Sequence, residues 1–275
     1  MTGLPTSVLA LDAGNSALKG ALVRPDGAVL APFRLGWEAG WPGALRAALA
    51  HLPEPPVAAG LASVVPARTA EVEAAVREVF ALDIATVHAG RRLPFTMGYA
   101  TPATLGADRI AAVAGALALR NPAPVRALVV LDAGTALTLD AVTSAGVHVG
   151  GAIAPGPRLL MESLARGTAL LPDVPLAAPL SPIGRSTTEG LQAGVVLGFV
   201  EAARGLLRRT LDALGEPAFV VATGGWAGLL AAEIAEINEV RPYLVLEGVA
   251  QIIPRPSGPP PLLKGAQAPP GFVAG

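Results

Sequence analysis

One structural device occurs twice in this sequence. Leu9-Ala10-Leu11-Asp12-Ala13-Gly14-Asn15-Ser16 and Val129-Val130-Leu131-Asp132-Ala133-Gly134-Thr135-Ala136 each carry an apolar strand into Asp-Ala-Gly and a small polar residue. An ordinary hairpin accounts for either copy alone, but Asp at the same strand end in both makes duplication the better reading. The surroundings repeat as well. In the first half, residues 7–12, 17–23 and 28–35 read as strands, with Arg24-Pro25-Asp26-Gly27 a turn in which Pro presets φ and Gly accepts a positive one. A helical pattern follows through Leu45, Leu49 and Leu52, then an apolar run over 57–65, a helix with Val72, Val76, Val79 and Phe80 on one face, and a strand over 84–87. The second half offers strands at 127–132, 136–143 and 147–153, helices near 158–165 and over 187–214, a strand at 219–223, a helix at 226–235 and a final strand at 243–246. Both halves follow βββαβαβ, an α/β plan. Domains are expected over 1–120 and 121–253, followed by a proline-rich tail, 254–275, whose composition marks it as flexible.

Composition excludes several classes of function. Lys+Arg 20 against Asp+Glu 21 gives a net charge of −1 and no bulk electrostatic attraction to nucleic acid or anionic lipid. The absence of cysteine excludes disulfides, thiolate zinc sites and a cysteine nucleophile. A hydrophobic fraction of 52%, a mean hydropathy of +0.54 and only 15% charged residues raise the question of a membrane span. The longest uncharged stretch, between Asp140 and Arg158, contains His148, Gly150, Gly151 and Pro155 and falls short of the roughly 20 apolar residues a span requires. The start, Met-Thr-Gly-Leu-Pro-Thr-Ser, lacks a basic region, and Asp12 cuts the apolar run. The expectation is a soluble cytoplasmic protein with no nucleic-acid or membrane partner.

The chemistry is narrowed first by what the sequence lacks. Lys19 and Lys264 are its only lysines; neither stands in G-x-x-x-x-G-K-[ST], and there is no G-x-G-x-x-G. His51, His88 and His148 are isolated and show no metal spacing, so each reads as structural or surface. The small-residue loops after buried strands remain. In a D-x-G-[NT] turn, Gly lets backbone N–H groups approach phosphate oxygens, and the strand-end Asp can hold a hydrated Mg²⁺. Asn15, Ser16 and Thr135 add side-chain hydrogen bonds. Two such loops facing across a cleft would grip one polyphosphate, and Thr223-Gly224-Gly225 after a strand lets a flat adenine or ribose lie against the backbone. The segment from Tyr99 to Arg109 places Gly106 at a turn before a helix through Ile110, with Asp108 and Arg109 at the helix start. Chemistry leaves two readings open. Asp108 is either a helix cap beside a surface Arg109 ion pair, or the acceptor of a hydroxyl proton beside an Arg109 that holds an anionic substrate.

Six blocks in order carry a resemblance. They are Asp12-Ala13-Gly14-Asn15-Ser16 with Lys19; Tyr99-x-x-Pro102-x-x-Leu105-Gly106-x-Asp108-Arg109; Asp132-Ala133-Gly134-Thr135-Ala136-x-Thr138-x-Asp140; Gly150-Gly151-x-Ile153-x-Pro155-Gly156; Gly184-Arg185-Ser186-Thr187; and Thr223-Gly224-Gly225. On these residues the chain resembles the type III pantothenate kinases, an actin-like family. Ser16 stands where Thr is usual, and Ser186 where Asn is common.

The resemblance implies two duplicated ribonuclease H-like, actin-like domains with a nucleotide cleft between them. It also implies ATP-dependent phosphorylation of pantothenate to 4′-phosphopantothenate, the first step of coenzyme A biosynthesis. By the same resemblance Asp12, Ala13, Gly14, Asn15, Ser16, Ala17, Leu18 and Lys19 form the first phosphate loop, with Asp12 near Mg²⁺, while Thr135, Gly224 and Gly225 contact ATP. Asp132 binds a monovalent cation, K⁺ or NH₄⁺. Tyr99, Gly106, Ala107, Asp108, Arg109 and Thr187 bind pantothenate, Asp108 is the general base, and the protein is a homodimer. Two alternatives stand beside this reading: a non-catalytic regulator or accessory factor of the same family, and a kinase of another small hydroxylated substrate on the same scaffold.

Overall fold

The computed structural model describes residues 6–119, 126–179 and 181–256. The expected flexible tail lies outside the described residues from 257 onward. Of the described residues, 6–94, 103–118 and 245–256 form one compact unit, and those within 95–102 and 119–244 form another.

The first unit is built on a five-stranded sheet ordered β3-β2-β1-β4-β5, with β1 (Val8–Ala13), β2 (Ala17–Val23), β3 (Val29–Gly36), β4 (Ala58–Ser63) and β5 (Ile84–Thr86). β1 is antiparallel to β2 and parallel to β4. It is buried along its whole length, as its unbroken apolar run from Val8 to Leu11 requires of a strand covered on both faces. Helices α1 (Trp41–Ala50) and α2 (Pro66–Phe80) bring Leu45, Leu49, Val72 and Val76 onto Leu9, Leu11, Leu22 and Leu61. The spacing of those helical residues is the 3.6 period seen in the sequence. Helix α3 (Ala107–Ala118) belongs to the same unit and buries Ile110, Ala111, Val113 and Ala114.

The second unit holds β6 (Thr96–Met97), β7 (Ala127–Ala133), β8 (Ala136–Val142), β9 (Val147–Pro155), β10 (Ala218–Thr223) and β11 (Glu239–Val240), in the order β11-β10-β7-β8-β9-β6. Apart from the added edge strand β6, this is the first sheet's order again, with β9-β8-β7-β10-β11 standing for β3-β2-β1-β4-β5. The pairing senses repeat too: β7 is antiparallel to β8 and parallel to β10. Helices α4 (Pro157–Gly167), α5 (Thr187–Leu214) and α6 (Ala227–Glu233) complete the unit. By length and composition alone, α5 is apolar enough to cross a membrane, the one such helix among the described residues. Its Phe199, Val200, Ala203 and Leu207 pack into the unit's own core with Leu131, Leu139 and Val220.

Residues 243–246 differ from the strand expected there. They enter a helix, α7 (Leu244–Ile252), and the edge beside β10 is taken by β11 instead. A short apolar run does not by itself distinguish a buried strand from a buried helix. Here Leu244, Val245, Leu246, Val249 and Ala250 are all buried, and Glu247 among them, so burial runs continuously rather than on alternate residues. From Val245 onward α7 belongs to the first unit. It lies so close to α3 that a Cβ on Gly248 would sit 1.7 Å from the Ala111 carbonyl oxygen, and against β4 a Cβ on Gly60 would meet Val249 at 2.6 Å.

Candidate active site

In the first unit, Asp12 ends β1 directly opposite Lys19 of β2, and the Lys19 Nζ lies 3.3 Å from Asp12 Oδ2. Asp12 is only 5% exposed. Burial pushes its carboxyl above the ordinary value; the Lys19 ammonium opposes that shift, and the charge of Asp108 adds to it. The chain between the strands turns tightly, with the Gly14 N–H donating to the Ala17 carbonyl at 3.1 Å, and leaves Asn15 and Ser16 exposed. The turn is held from behind by a residue the sequence reading missed: the Trp37 Nε1–H donates to the Gly14 carbonyl at 2.9 Å. Trp37 is in turn fixed edge-on against Trp41, and the Arg68 guanidinium lies 5.3 Å from its ring centroid. No local pattern signals this contact, since 23 residues separate the partners.

The second unit repeats the turn with one residue fewer. Ala13 pairs with Leu18 in the first hairpin, whereas Ala133 pairs with Leu137 in the second, and Gly134 N–H donates to the Ala136 carbonyl at 2.9 Å. Thr223 of β10 is in register with Asp132 of β7, so the Thr223-Gly224-Gly225 loop leaves the sheet beside the Asp132 carboxyl. Gly224 has φ +91°, and a Cβ there would stand 2.5 Å from Asp132 Oδ1 and 2.6 Å from the Ala133 carbonyl oxygen. The next turn, at Pro155-Gly156, backs the same loop. Gly156 N–H donates to the Thr135 carbonyl at 3.0 Å, and a Cβ on Gly156 would meet the Gly134 oxygen at 2.4 Å. Three sequence blocks therefore converge on one loop, two of them by backbone approaches that only glycine permits.

The residues expected around pantothenate divide between the units. Gly106, Ala107, Asp108 and Arg109 lie in the first, and Tyr99 and Thr187 in the second. Asp108 sits in the first turn of α3, half-buried, with its Oδ1 accepting from the Arg109 backbone N–H at 2.8 Å. Arg109 is buried, 8% exposed, which removes the surface ion pair as its explanation. Thr187 opens α5 and is exposed. The preceding Ser186 caps that helix, its Oγ accepting from Glu189 N–H at 3.2 Å, while Glu189 Oε2 accepts from Arg185 N–H at 2.7 Å. Thr187 also lines an apolar cavity of about 730 Å³ with Leu160, Leu164, Leu191 and Phe199; none of the other residues expected to touch pantothenate is among its lining.

The donor sets fit cations that arrive with phosphate. Among the described residues no three His, Asp or Glu side chains come together as a metal cage. Mg²⁺ needs none, since it commonly takes one or two carboxylates and completes its shell with water and substrate phosphate oxygens. Asp12, a carboxylate held at a strand end beside a glycine turn, matches that requirement. Near Asp132, Gly224 stands against the Asp132 carboxyl and the Ala133 carbonyl, and the Asp132 carboxylate is an oxygen donor of the kind a hard cation takes.

An α/β chain with the same sheet built twice, each copy ending its central strand in Asp-x-Gly, belongs among the actin-like phosphotransferases. The fold is shared with solved structures at low identity: the ethanolamine utilization protein EutJ from Carboxydothermus hydrogenoformans (TM-score 0.55, 15% identical, covering 90% of each chain). A second is a ROK family glucokinase from Streptomyces griseus in complex with glucose and AMPPNP (TM-score 0.52, 15% identical, 89% of this chain and 98% of that one). Within that class the chain belongs to the type III pantothenate kinase family, whose model matches residues 8–209. It is 42% identical to the type III pantothenate kinase of Halorhodospira halophila over 247 residues, 88% of this chain and 95% of the relative. It is 39% identical to that of Chlorobaculum parvum over 210 residues, 73% of this chain and 76% of the relative.

Proposed function

We propose that this chain transfers the γ-phosphoryl group of ATP to the hydroxyl of pantothenate, with Asp108 as the general base. As a member of its family the chain is an ATP-dependent pantothenate kinase; the roles of individual residues are the inferred part. The observation that carries the Asp108 assignment is its position. It is a half-buried carboxylate in a helical first turn, within electrostatic reach of the Asp12 carboxyl and next to the buried Arg109.

In the reaction the pantothenate hydroxyl oxygen forms a bond to the γ-phosphorus as the bond from that phosphorus to the β,γ-bridging oxygen breaks. ADP leaves with the electron pair, and the hydroxyl proton passes to the Asp108 carboxylate. Such transfers depend mainly on in-line positioning and charge neutralisation. The exposed turn residues Asn15 and Ser16 and the Lys19 ammonium serve the phosphates in the first unit, and Thr135 with Gly224 and Gly225 serve ATP in the second. Arg109 pairs with the pantothenate carboxylate, and Tyr99 and Thr187 orient the rest of that substrate. Asp12 would hold Mg²⁺ and Asp132 would hold K⁺ or NH₄⁺, and these cations would supply neutralising charge.

Purified protein with ATP, Mg²⁺, K⁺ and pantothenate is expected to yield ADP and 4′-phosphopantothenate. Asp108→Asn should lower kcat by about 10²- to 10⁴-fold, and an unchanged kcat would overturn the base assignment. The same assay with Na⁺ in place of K⁺ reports on Asp132, and activity should fall. We further place the enzyme in the cytoplasm as a homodimer. Support for the dimer comes from apolar side chains exposed on one unit: Ile153 on β9, Leu159 and Leu164 on α4, and Leu170, which is 90% exposed, just beyond it.

A further inference from the structure

His148 and Asp140 form a buried pair that the proposed chemistry does not use. His148 is fully buried and Asp140 is 1% exposed, and the His148 Nε2 lies 2.7 Å from Asp140 Oδ1. The carboxylate accepts, so Nε2 carries the hydrogen; Nδ1 finds no hydrogen-bond partner among the described residues.

The pair exists because of a bulge. Along β8, Leu137 and Leu139 face the core, together with their partners Ala154 and Ala152 of β9, while Thr138, Asp140 and Val142 face the other way. Counting by twos from Ala152 would put His148 on the core face. The register instead shifts between Ala141 and Val142: Ala141 pairs with Gly150 but Val142 with His148, leaving Val149 as the extra residue. Gly150, at φ +118°, supplies the backbone conformation for that shift. One added residue flips every side chain beyond it, and His148 lands on the face of Asp140.

That face receives the segment containing Tyr99. β6 adds to β9 with Met97 in register with His148, and the Gly98 N–H donates to the His148 carbonyl at 2.9 Å. Residues 95, 97 and 99 are half-buried and 96, 98 and 100 exposed, so Phe95 and Tyr99 lie on the His148 side. Their ring centroids are each 5.9 Å from the imidazole. A Cβ on Gly150 would touch the Tyr99 ring at 3.7 Å, so the bulge glycine forms the floor under that ring.

We infer that His148, anchored by Asp140, is a positioning residue that sets the Tyr99 ring for pantothenate. The inference rests on the reading of Tyr99 as a substrate contact. His148→Gln keeps an N–H donor for Asp140 while removing the ring that flanks Tyr99. It should raise KM for pantothenate by about tenfold, the change that roughly 1.4 kcal/mol of lost binding produces, with KM for ATP unmoved. On a Tyr99→Ala background the same substitution should add nothing, because its effect passes through Tyr99. If Tyr99→Ala leaves KM for pantothenate unchanged, the reading of Tyr99 itself fails. If Tyr99→Ala raises it while His148→Gln does not, or the two effects add, the role of His148 alone is overturned. Should His148→Gln not fold, Asp140→Asn, which keeps an acceptor for the imidazole but loses its charge, should shift KM for pantothenate the same way and leave KM for ATP unmoved. Equal rises in both constants would overturn the inference.

Discussion

Asp12 shows at the scale of one residue how a proposed Mg²⁺ ligand weighs on stability. Its folded-state pKa is raised, chiefly by burial. The group therefore favours the folded state fully below the ordinary carboxylate range, and that contribution is lost as pH rises through the raised value. Wherever Asp12 is ionised, its buried charge is a net cost, which Lys19 only partly offsets. Asp12→Asn in metal-free protein is thus expected to raise the thermal midpoint at pH 8, with the gain shrinking toward pH 4, while activity drops. A midpoint lowered by the substitution at pH 8 would contradict this account. Asp12 was legible in the sequence because its motif is local. Trp37, which holds the adjacent turn through the Gly14 carbonyl, was not, because a tryptophan after a strand looks the same whether it packs or donates.

At the scale of elements, adjacent glycines separate two uses of one residue type. Gly224 and Gly225 read alike in the sequence, as a loop giving room to a nucleotide. Gly224 has φ +91° and the Asp132 carboxyl and Ala133 carbonyl where a Cβ would go, whereas nothing lies within 4 Å of a Cβ on Gly225. Gly224→Ala should lower stability by roughly 1–3 kcal/mol and raise KM for ATP, since the Asp132 loop must shift. Gly225→Ala should leave the denaturation midpoint nearly unchanged, and equal destabilisation by the two would refute the distinction. The same scale explains the misread segment 243–246. Period-2 and period-3.6 patterns both disappear when every face is buried, and what distinguishes α7 is its contact with α3 and β4, elements far away in the chain.

For the whole molecule, the repeated sheet order means that one topology was used twice and then modified at the edges. The first copy keeps three residues, Gly14-Asn15-Ser16, between its paired alanine and the next strand; the second keeps Gly134-Thr135 and gains β6 on its outer edge. These changes fall in the loops and edge that carry the proposed site, while the central strands stay alike. The exposed apolar side chains of β9 and α4 bear on assembly. Sedimentation equilibrium should return about twice the 27.5 kDa chain mass, and Leu170→Asp should favour the single chain. A fully active monomer of the unaltered protein would dismiss the dimer.

The sequence by itself determined the α/β class, the duplication, both Asp-Ala-Gly turns and the family. Each of these is written in local pattern: strand hydrophobicity, turn chemistry and motif spacing act over a few residues. Only the tertiary structure decided that the last apolar run is a helix of the first unit. It alone put Gly156 and Gly224 against the Asp132 loop, and brought His148 to Asp140's face. Those outcomes depend on register and on backbone approaches between segments distant in sequence, where one bulged residue reverses which side chains meet.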